Sequence, residues 1–293
     1  MNPTAPTVSV LIATYNKASA LHYAIQSVLW QSFEDFELWV IGDGCTDNSA
    51  EVVTAFADER VHWYNLPENT GYQSEPHNEG LRRAKGKYIA YLNHDDIWLP
   101  NHLEVLVARA EEQKADFVYS IMQWVLDYAE DYADIPRFPH APRPPEASAT
   151  LHLRSIVDEI GYWKAPQETY AVPRADYFRQ AQFLGKKYAF APMLTVLKFG
   201  GTPGSYEELG KQQEYLQQVQ DDPHFSNRQL SQMLAHAYWK LEQPVAPGNY
   251  LRQLVEWLRR QLVKRRIDPA RLVFWQKPGR HIREWHKRHN LFQ

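Results

Sequence analysis

The chain has 293 residues, 44% of them apolar, enough for one large or two modest domains with a real core, which excludes disorder and fibrous repeats. Its net charge of −3 hides a polarity, because twelve Lys and Arg against three acidic residues fall between Arg252 and Arg288, leaving the remainder acidic. The single cysteine, Cys45, excludes an intramolecular disulfide and a thiolate metal site, so a reducing compartment and a metal held by oxygen or imidazole are expected.

Met1–Thr7 carries neither the basic nor the apolar stretch of a signal peptide, and no apolar run approaches the roughly 20 residues that span a bilayer. A soluble, cytoplasmic protein is expected. Val8–Ile12 predicts a short buried strand running into the polar turn Ala13–Lys17. Leu21, Ala24, Ile25, Val28 and Leu29 recur at three- and four-residue spacing, which predicts a helix with one stripe on a sheet. Phe36–Ile41 predicts the next strand, ended by Gly42-Asp43-Gly44, and Asp47-Asn48-Ser49 offer caps for a helix through Val52, Val53 and Phe56. A strand at Val61–Tyr64, a loop Pro67–Glu75, a helix near Asn78–Ala84 and a strand Tyr88–Leu92 follow. Pro100 suits the first turn of a helix carrying Leu103, Leu106, Val107 and Ala110, before a strand at Phe117–Tyr119. This alternation predicts an α/β class, a Rossmann-like, mainly parallel sheet flanked by helices, with a nucleotide-binding half over about residues 1–120.

Five prolines between Pro136 and Pro145 exclude helix and central strand and predict an extended loop that could serve as a lid. Phe178–Leu184 reads as helix and Tyr188–Phe199 as strand, which places a second half at about 121–204 and closes a domain over 1–204. Residues 205–293 form a helical C-terminal region, with helices at Leu209–Val219, Gln229–Leu241 and Tyr250–Val263. In the last, Leu251, Leu254, Val255, Leu258 and Leu262 line up beside Arg252, Arg259 and Arg260. Such a face is solvated, packs on the domain, or makes peripheral contact with anionic lipid at the inner face of the cell membrane. No motif supports nucleic-acid binding.

In an open parallel sheet the ligand lies beyond the carboxyl ends of the strands, where loops and helix N-termini gather. Three polar clusters stand there: Thr14-Tyr15-Asn16, Asp43–Asp47 and Asn93–Asp96. One such cluster is usually only a turn or a cap, but three on one edge outline a site. Asp95 and Asp96 end an apolar strand, and adjacent carboxylates repel unless they share a cation. Mg²⁺ or Mn²⁺ takes one or two protein carboxylates and completes its shell with diphosphate oxygens and water. The alternative is that both aspartates cap the helix at Pro100.

Five ordered segments carry a family resemblance: Val8–Asn16; Gln31-Ser32-Phe33; Asp43–Asp47; Asn78–Leu81 with Ala84–Ile89; and Leu92–Pro100. Together they closely resemble family 2 glycosyltransferases of the GT-A fold, strongly over residues 8–120 and moderately over 170–199. The resemblance implies a nucleobase pocket at Ala13, Tyr15 and Asp43, whose carboxylate would accept a uracil or thymine N3–H. The family's DxD motif falls on Asn93-His94-Asp95, implying metal binding at Asp95 with Asp96 adjacent, although Asn93 replaces the usual first Asp. Lys198 stands where many members place a metal- or diphosphate-facing His; an ammonium cannot ligate a cation but can pair with a leaving diphosphate. The usual Glu-Asp base motif is absent, leaving Asp176 or Glu168 as catalytic base, with Asp176 also able to cap a helix beginning at Tyr177. His77 stands where relatives often carry Arg, near a diphosphate, and Cys45 where they carry Ser; Trp98 and Trp163 are candidates for stacking on sugar.

The implied activity is transfer, with inversion, of a monosaccharide from a UDP- or dTDP-linked donor to a hydroxyl of a glycan or lipid-linked acceptor. Two rivals stand beside it. A sugar-phosphate nucleotidyltransferase would carry a Gly-rich loop after the first strand, and none follows Val8–Ile12. A non-catalytic nucleotide-sugar or glycan-binding protein is suggested by Asn93 and the missing Glu-Asp.

Overall fold

A computed structural model describes residues 5–126, 132–134, 144–200 and 209–242, with isolated positions 257, 258, 261, 262, 265 and 267. Strands β1 (Val8–Thr14), β2 (Phe36–Gly42), β3 (Val61–Asn65) and β4 (Tyr88–Tyr91) form its parallel half, with β1 between β2 and β4. Strands β1 and β4 are near-continuously apolar because both faces of this sheet are covered. On one face, Leu21, Ala24, Ile25 and Val28 of α1 (Ala18–Leu29) join Leu103, Leu106 and Ala110 of α4 (His102–Gln113). On the other, Leu81 of α3 (Ser74–Arg83) meets Leu11, Ile89 and Tyr91. The short α2 (Ser49–Thr54) stops before Phe56, and Asp47, not Asn48, binds its first turn by accepting from Ser49 N–H and Oγ–H.

Gly86 belongs to this half because a Cβ there would lie 2.5 Å from Ser9 N and 2.7 Å from the Val8 carbonyl carbon. Only glycine lets the entry to β4 pass so close to the β1 backbone. Its N–H donates to Ser9 Oγ, which donates in turn to the Glu37 carboxylate.

Beyond β4 the sheet becomes mixed. Strand β8 (Thr150–Leu153) enters antiparallel between β4 and β6 (Phe117–Leu126), and β9 (Tyr188–Gly200) runs parallel to β6. Strand β5 (Ile97–Trp98) closes the far edge against β9, while β7 (Tyr132–Asp134) pairs with β6. The order is β3-β2-β1-β4-β8-β6-β9-β5. A short helix α5 (Ile156–Ile160) precedes α6 (Pro173–Phe183), which starts at Pro173, where a missing N–H costs nothing. Asp176 therefore sits inside the first turn instead of capping a helix that begins at Tyr177.

Helices α7 (Leu209–Asp221) and α8 (Phe225–Glu242) pack on this second half. Their Leu216, Val219, Phe225 and Met233 share one core with Ile97, Leu99, Ile121, Val125, Leu194 and Leu197. The predicted helix Tyr250–Val263, most of the basic stretch and the proline segment up to residue 143 lie outside the described residues. Among the described residues no helix is long and apolar enough to cross a membrane.

The core between α3, α5, α6 and the sheet holds two histidines kept neutral. The Leu153 carbonyl can only accept, so His152 donates to it from Nδ1 (2.8 Å) and accepts at Nε2 from Tyr91 OH (3.0 Å), itself a target of Trp163 Nε1–H (3.3 Å). Burial pushes His152 down to about 4 and His77 down to about 3. Below about pH 6.5 the unfolded chain takes up protons that the folded chain refuses, so stability is full above that pH and falls as pH drops toward 4. The slope is about 1.4 kcal/mol per pH unit for each histidine. Urea titrations from pH 7 to 5 are expected to show this loss. His77→Phe is expected to flatten it by one histidine's share, because neither ring nitrogen has a hydrogen-bond partner among the described residues. An unchanged slope in that variant would mean that His77 is not held neutral.

Candidate active site

The carboxyl ends of β1, β2 and β4 converge on one rim, and the loops are stitched together there. Asp43 N–H donates to the Thr14 carbonyl (2.8 Å), and Asn16 Oδ1 accepts from Thr46 N–H (2.8 Å) and Asp47 N–H (3.2 Å). His94 Nδ1–H donates to the Ala13 carbonyl (3.1 Å), which binds the loop after β4 to the loop after β1. The loops that carry Asp43 and Asp95 thus both join the loop after β1, where Tyr15 is 46% exposed. The side chain of Thr14 is buried beneath.

Asp43 differs from its expected state. Its carboxylate accepts from Thr70 N–H (3.0 Å), Thr70 Oγ–H (2.7 Å), Asn69 Nδ2–H (3.2 Å) and Gly71 N–H (3.2 Å), and the residue is only 4% exposed. Four donors fill a carboxylate's capacity, so Asp43 anchors the loop over residues 69–71, and a nucleobase N3–H would have to displace one of them. Gly44 has φ +71°, and a Cβ there would lie 2.5 Å from Asn69 N, so the same loop lies against a backbone that only glycine supplies.

The adjacent aspartates part company. Asp96 is fully buried and accepts from Ser148 Oγ–H (2.6 Å) and Asn93 Nδ2–H (2.9 Å), with Lys198 Nζ 3.2 Å away. Asp95 is half-buried at the rim, and its carboxylate has no hydrogen-bond partner among the described residues. Asp96 is therefore withdrawn from metal binding as a structural acid, and Lys198 finds its first partner in Asp96 instead of standing free toward a diphosphate. Burial pushes Asp96 up to about 6, against the pull of the Lys198 charge. For Lys198, burial acts downward, but the charges of Asp96, Asp95 and Glu146 outweigh it and keep the ammonium protonated. Its Nζ also lies 5.2 Å from the centre of the Trp124 ring.

Both base candidates lie in the second half. Ser74, at the start of α3, donates from Oγ to the Lys164 carbonyl (2.9 Å), and Lys164 Nζ is 3.7 Å from Asp176 Oδ2. The same oxygen accepts from Gln180 Nε2–H (2.7 Å). Glu168 is exposed and closes its own turn by accepting from Ala165 N–H (3.1 Å). Tyr72 connects the two sides: burial first, then the charges of Glu75, Asp43 and Glu168, raise its phenol.

Three lesser candidates are corrected or confirmed as packing. Trp163 is 2% exposed within the aromatic core, and His77 lies under it with ring centres 4.7 Å apart, so neither reaches a sugar or a diphosphate. Trp98 is buried, stacked on His102 at 4.1 Å, and donates from Nε1 to the Ser148 carbonyl (2.7 Å). The Cys45 thiol is pushed up chiefly by burial, which makes it a poor nucleophile.

A sequence profile described as Glycosyl transferase family 2 matches residues 9–157, half of the chain and the whole of the rim described above except Lys198 and the base candidates. The chain belongs to this family. Relatives include the putative teichuronic acid biosynthesis glycosyltransferase TuaG of Bacillus subtilis, 33% identical over 47% of this chain and 54% of that protein. The glycosyltransferase GlyG of Streptococcus pneumoniae is 35% identical over 38% of this chain and 37% of its own length. The UDP-Glc:alpha-D-GlcNAc-diphosphoundecaprenol beta-1,3-glucosyltransferase WfgD of Escherichia coli is 32% identical over 38% of this chain and 44% of its own. The matched segments span about half of these curated relatives or less. The fold is that of S. aureus TarS 1-349, solved in complex with UDP-GlcNAc, at TM-score 0.58 and 15% identity over 97% of this chain and 92% of that one.

Several residues of this family 2 glycosyltransferase escaped sequence reading. Ser148 accepts from Asn93 N–H (3.1 Å) while donating to Asp96, and so holds both ends of the aspartate loop from a segment 52 residues away. Asn65 brackets Cys45 through its N–H (2.8 Å) and carbonyl (2.9 Å). Gln212 reaches the Asp95 carbonyl from α7. None of the three lies within a recognisable motif, and no local signal could have found them.

Proposed function

We propose that the chain transfers a monosaccharide from a nucleoside diphosphate sugar, UDP- or dTDP-linked, to a hydroxyl of a glycan or lipid-linked acceptor with inversion. The observation that carries this reading is the single rim on which His94 ties the Ala13–Tyr15 loop to Asp95, the one carboxylate there without a partner among the described residues. The bound donor of the TarS structure and the lipid-linked acceptor in the name of WfgD agree with it.

In this reading, residues 1–120 hold the donor and 121–204 the acceptor. Tyr15 and the loop over 69–71 border the base, with Asp43 as the organiser of that loop. Asp95 fits Mg²⁺ or Mn²⁺ because one open carboxylate beside a diphosphate suffices for a hard cation, and among the described residues no cluster of three acidic, His or Cys ligands competes for it. Such an ion would draw charge from the leaving diphosphate. Lys198 adds positive charge from beneath the Asp95–Asp96 pair. Asp176 takes the proton of the acceptor hydroxyl, leaving that oxygen to attack the anomeric carbon opposite the departing diphosphate. A lipid-linked acceptor would bring the basic stretch Arg252–Arg288 beside anionic headgroups.

A thermal-shift panel of nucleoside diphosphates and their sugars with and without Mn²⁺ tests this reading. At a hundredfold excess over Kd, binding contributes about 2.7 kcal/mol, a Tm rise of roughly 5–10 °C. The rise is expected with UDP or dTDP and to be larger with Mn²⁺. No rise with any nucleotide overturns the reading, and a rise without slow donor hydrolysis to the diphosphate favours the non-catalytic binding protein.

A further inference from the structure

The loop carrying the open carboxylate is held unevenly. Asn93 is tied by its side chain to Asp96, His94 to the Ala13 carbonyl, and Asp96 to Ser148 and Lys198. Asp95 has no side-chain tie among the described residues, and its position follows from its peptide alone. That peptide is held from outside the segment matched by the family profile: Gln212 Nε2–H donates to the Asp95 carbonyl (2.7 Å) across 117 positions of sequence.

Gln212 is built to stay there. It is 6% exposed, and its two neighbours secure the start of α7, Lys211 Nζ donating to the Leu126 carbonyl at the end of β6 (3.0 Å) and Gln213 Oε1 accepting from Tyr23 OH of α1 (3.4 Å). Leu216 and Val219 anchor the helix in the core beneath β5 and β9. Three successive residues thus reach strand β6, the aspartate loop and helix α1, and only the middle one meets the aspartate loop.

We infer that Gln212 is a positioning residue for the donor site: by holding the Asp95 peptide it aims the Asp95 carboxylate at the diphosphate and its cation. The inference rests on the donor-site reading above. Groups that orient a metal-binding side chain cost about 10–100-fold in metal affinity when removed. Helix α7 is then part of the site's construction.

The experiment is a thermal-shift titration of Mn²⁺ at fixed UDP, on the full chain, comparing the unsubstituted protein with Gln212→Met, Gln212→Glu, Gln213→Ala and Asp95→Ala. Methionine keeps the volume and removes the donor; glutamate keeps the shape and presents only acceptors at neutral pH, so it gives the same information should the methionine variant fail to fold. Both Gln212 variants are expected to raise the Mn²⁺ concentration for half-maximal shift about tenfold, with Gln213→Ala unchanged and Asp95→Ala insensitive to Mn²⁺. An equal change in Gln213→Ala would make the effect one of helix docking and overturn the inference, as would an unmoved Mn²⁺ midpoint in the Gln212 variants. Absence of any Mn²⁺-dependent shift in the unsubstituted protein with either UDP or dTDP, or its persistence in Asp95→Ala, would overturn the donor-site reading itself, and this inference with it.

Discussion

Lys198→Ala is expected to destabilise the protein by about 3–5 kcal/mol at pH 8, because it strands the Asp96 carboxylate in a site with no solvent exposure. Ser148 and Asn93 still donate to it, but neither carries charge. The penalty is expected to shrink as pH falls: burial already pushes Asp96 up to about 6 with the ammonium present, and without it the acid protonates at higher pH still. Lys198→Met combined with Asp96→Asn removes both charges and is expected to recover most of the loss. Equilibrium urea unfolding of the unsubstituted protein and the two variants at pH 8 and pH 5.5 reads these effects. A loss under 1 kcal/mol for Lys198→Ala would mean that the pair does not hold the loop. The folded double variant also isolates the charge: it is expected to bind UDP with Mn²⁺ yet turn over donor at least tenfold more slowly. Undiminished turnover there would confine Lys198 to a structural role.

Asp176→Asn is expected to lower kcat by about 10²–10⁴-fold while leaving the UDP-induced thermal shift unchanged, the signature of a base acting only in the chemical step. Asparagine can still accept from Gln180, so the α6 turn is retained. Glu168→Gln is expected to stay close to the unsubstituted rate, since that carboxylate lies out in solvent and binds its own turn. Initial rates of donor turnover with a saturating hydroxyl acceptor separate the two. The reverse ranking would transfer the role to Glu168.

The parallel half was legible because its signals are local. Apolar runs at Val8–Ile12 and Phe36–Ile41, a helical stripe between them and polar residues at the strand ends predict strands, crossovers and a rim from spacing alone. Beyond that half the elements at Tyr188–Phe199 and Leu209–Val219 were legible, but the pairing of the strands was not. Strand β8 lies in a segment with no clear period, and it enters the sheet antiparallel through pairings with residues more than thirty and more than sixty positions away. Helix α6 begins at Pro173, a good first helical residue, ahead of the predicted Phe178–Leu184. Trp163, a candidate for stacking on sugar, and His77, a candidate neighbour of the diphosphate, lie in the core instead, since composition does not reveal which aromatic residues share one.

The sequence by itself determined which side chains stand at the ends of the strands, because right-handed crossovers in an α/β sheet deliver those positions to one edge wherever the strands fall. Only the tertiary structure decided how they divide the work. Asp95 and Asp96 are identical in chemistry and adjacent in the chain, yet one faces the rim and the other is buried against a lysine 102 residues away. Desolvation and long-range partners, which have no local trace in sequence, assign the open carboxylate to a ligand and the buried one to the fold.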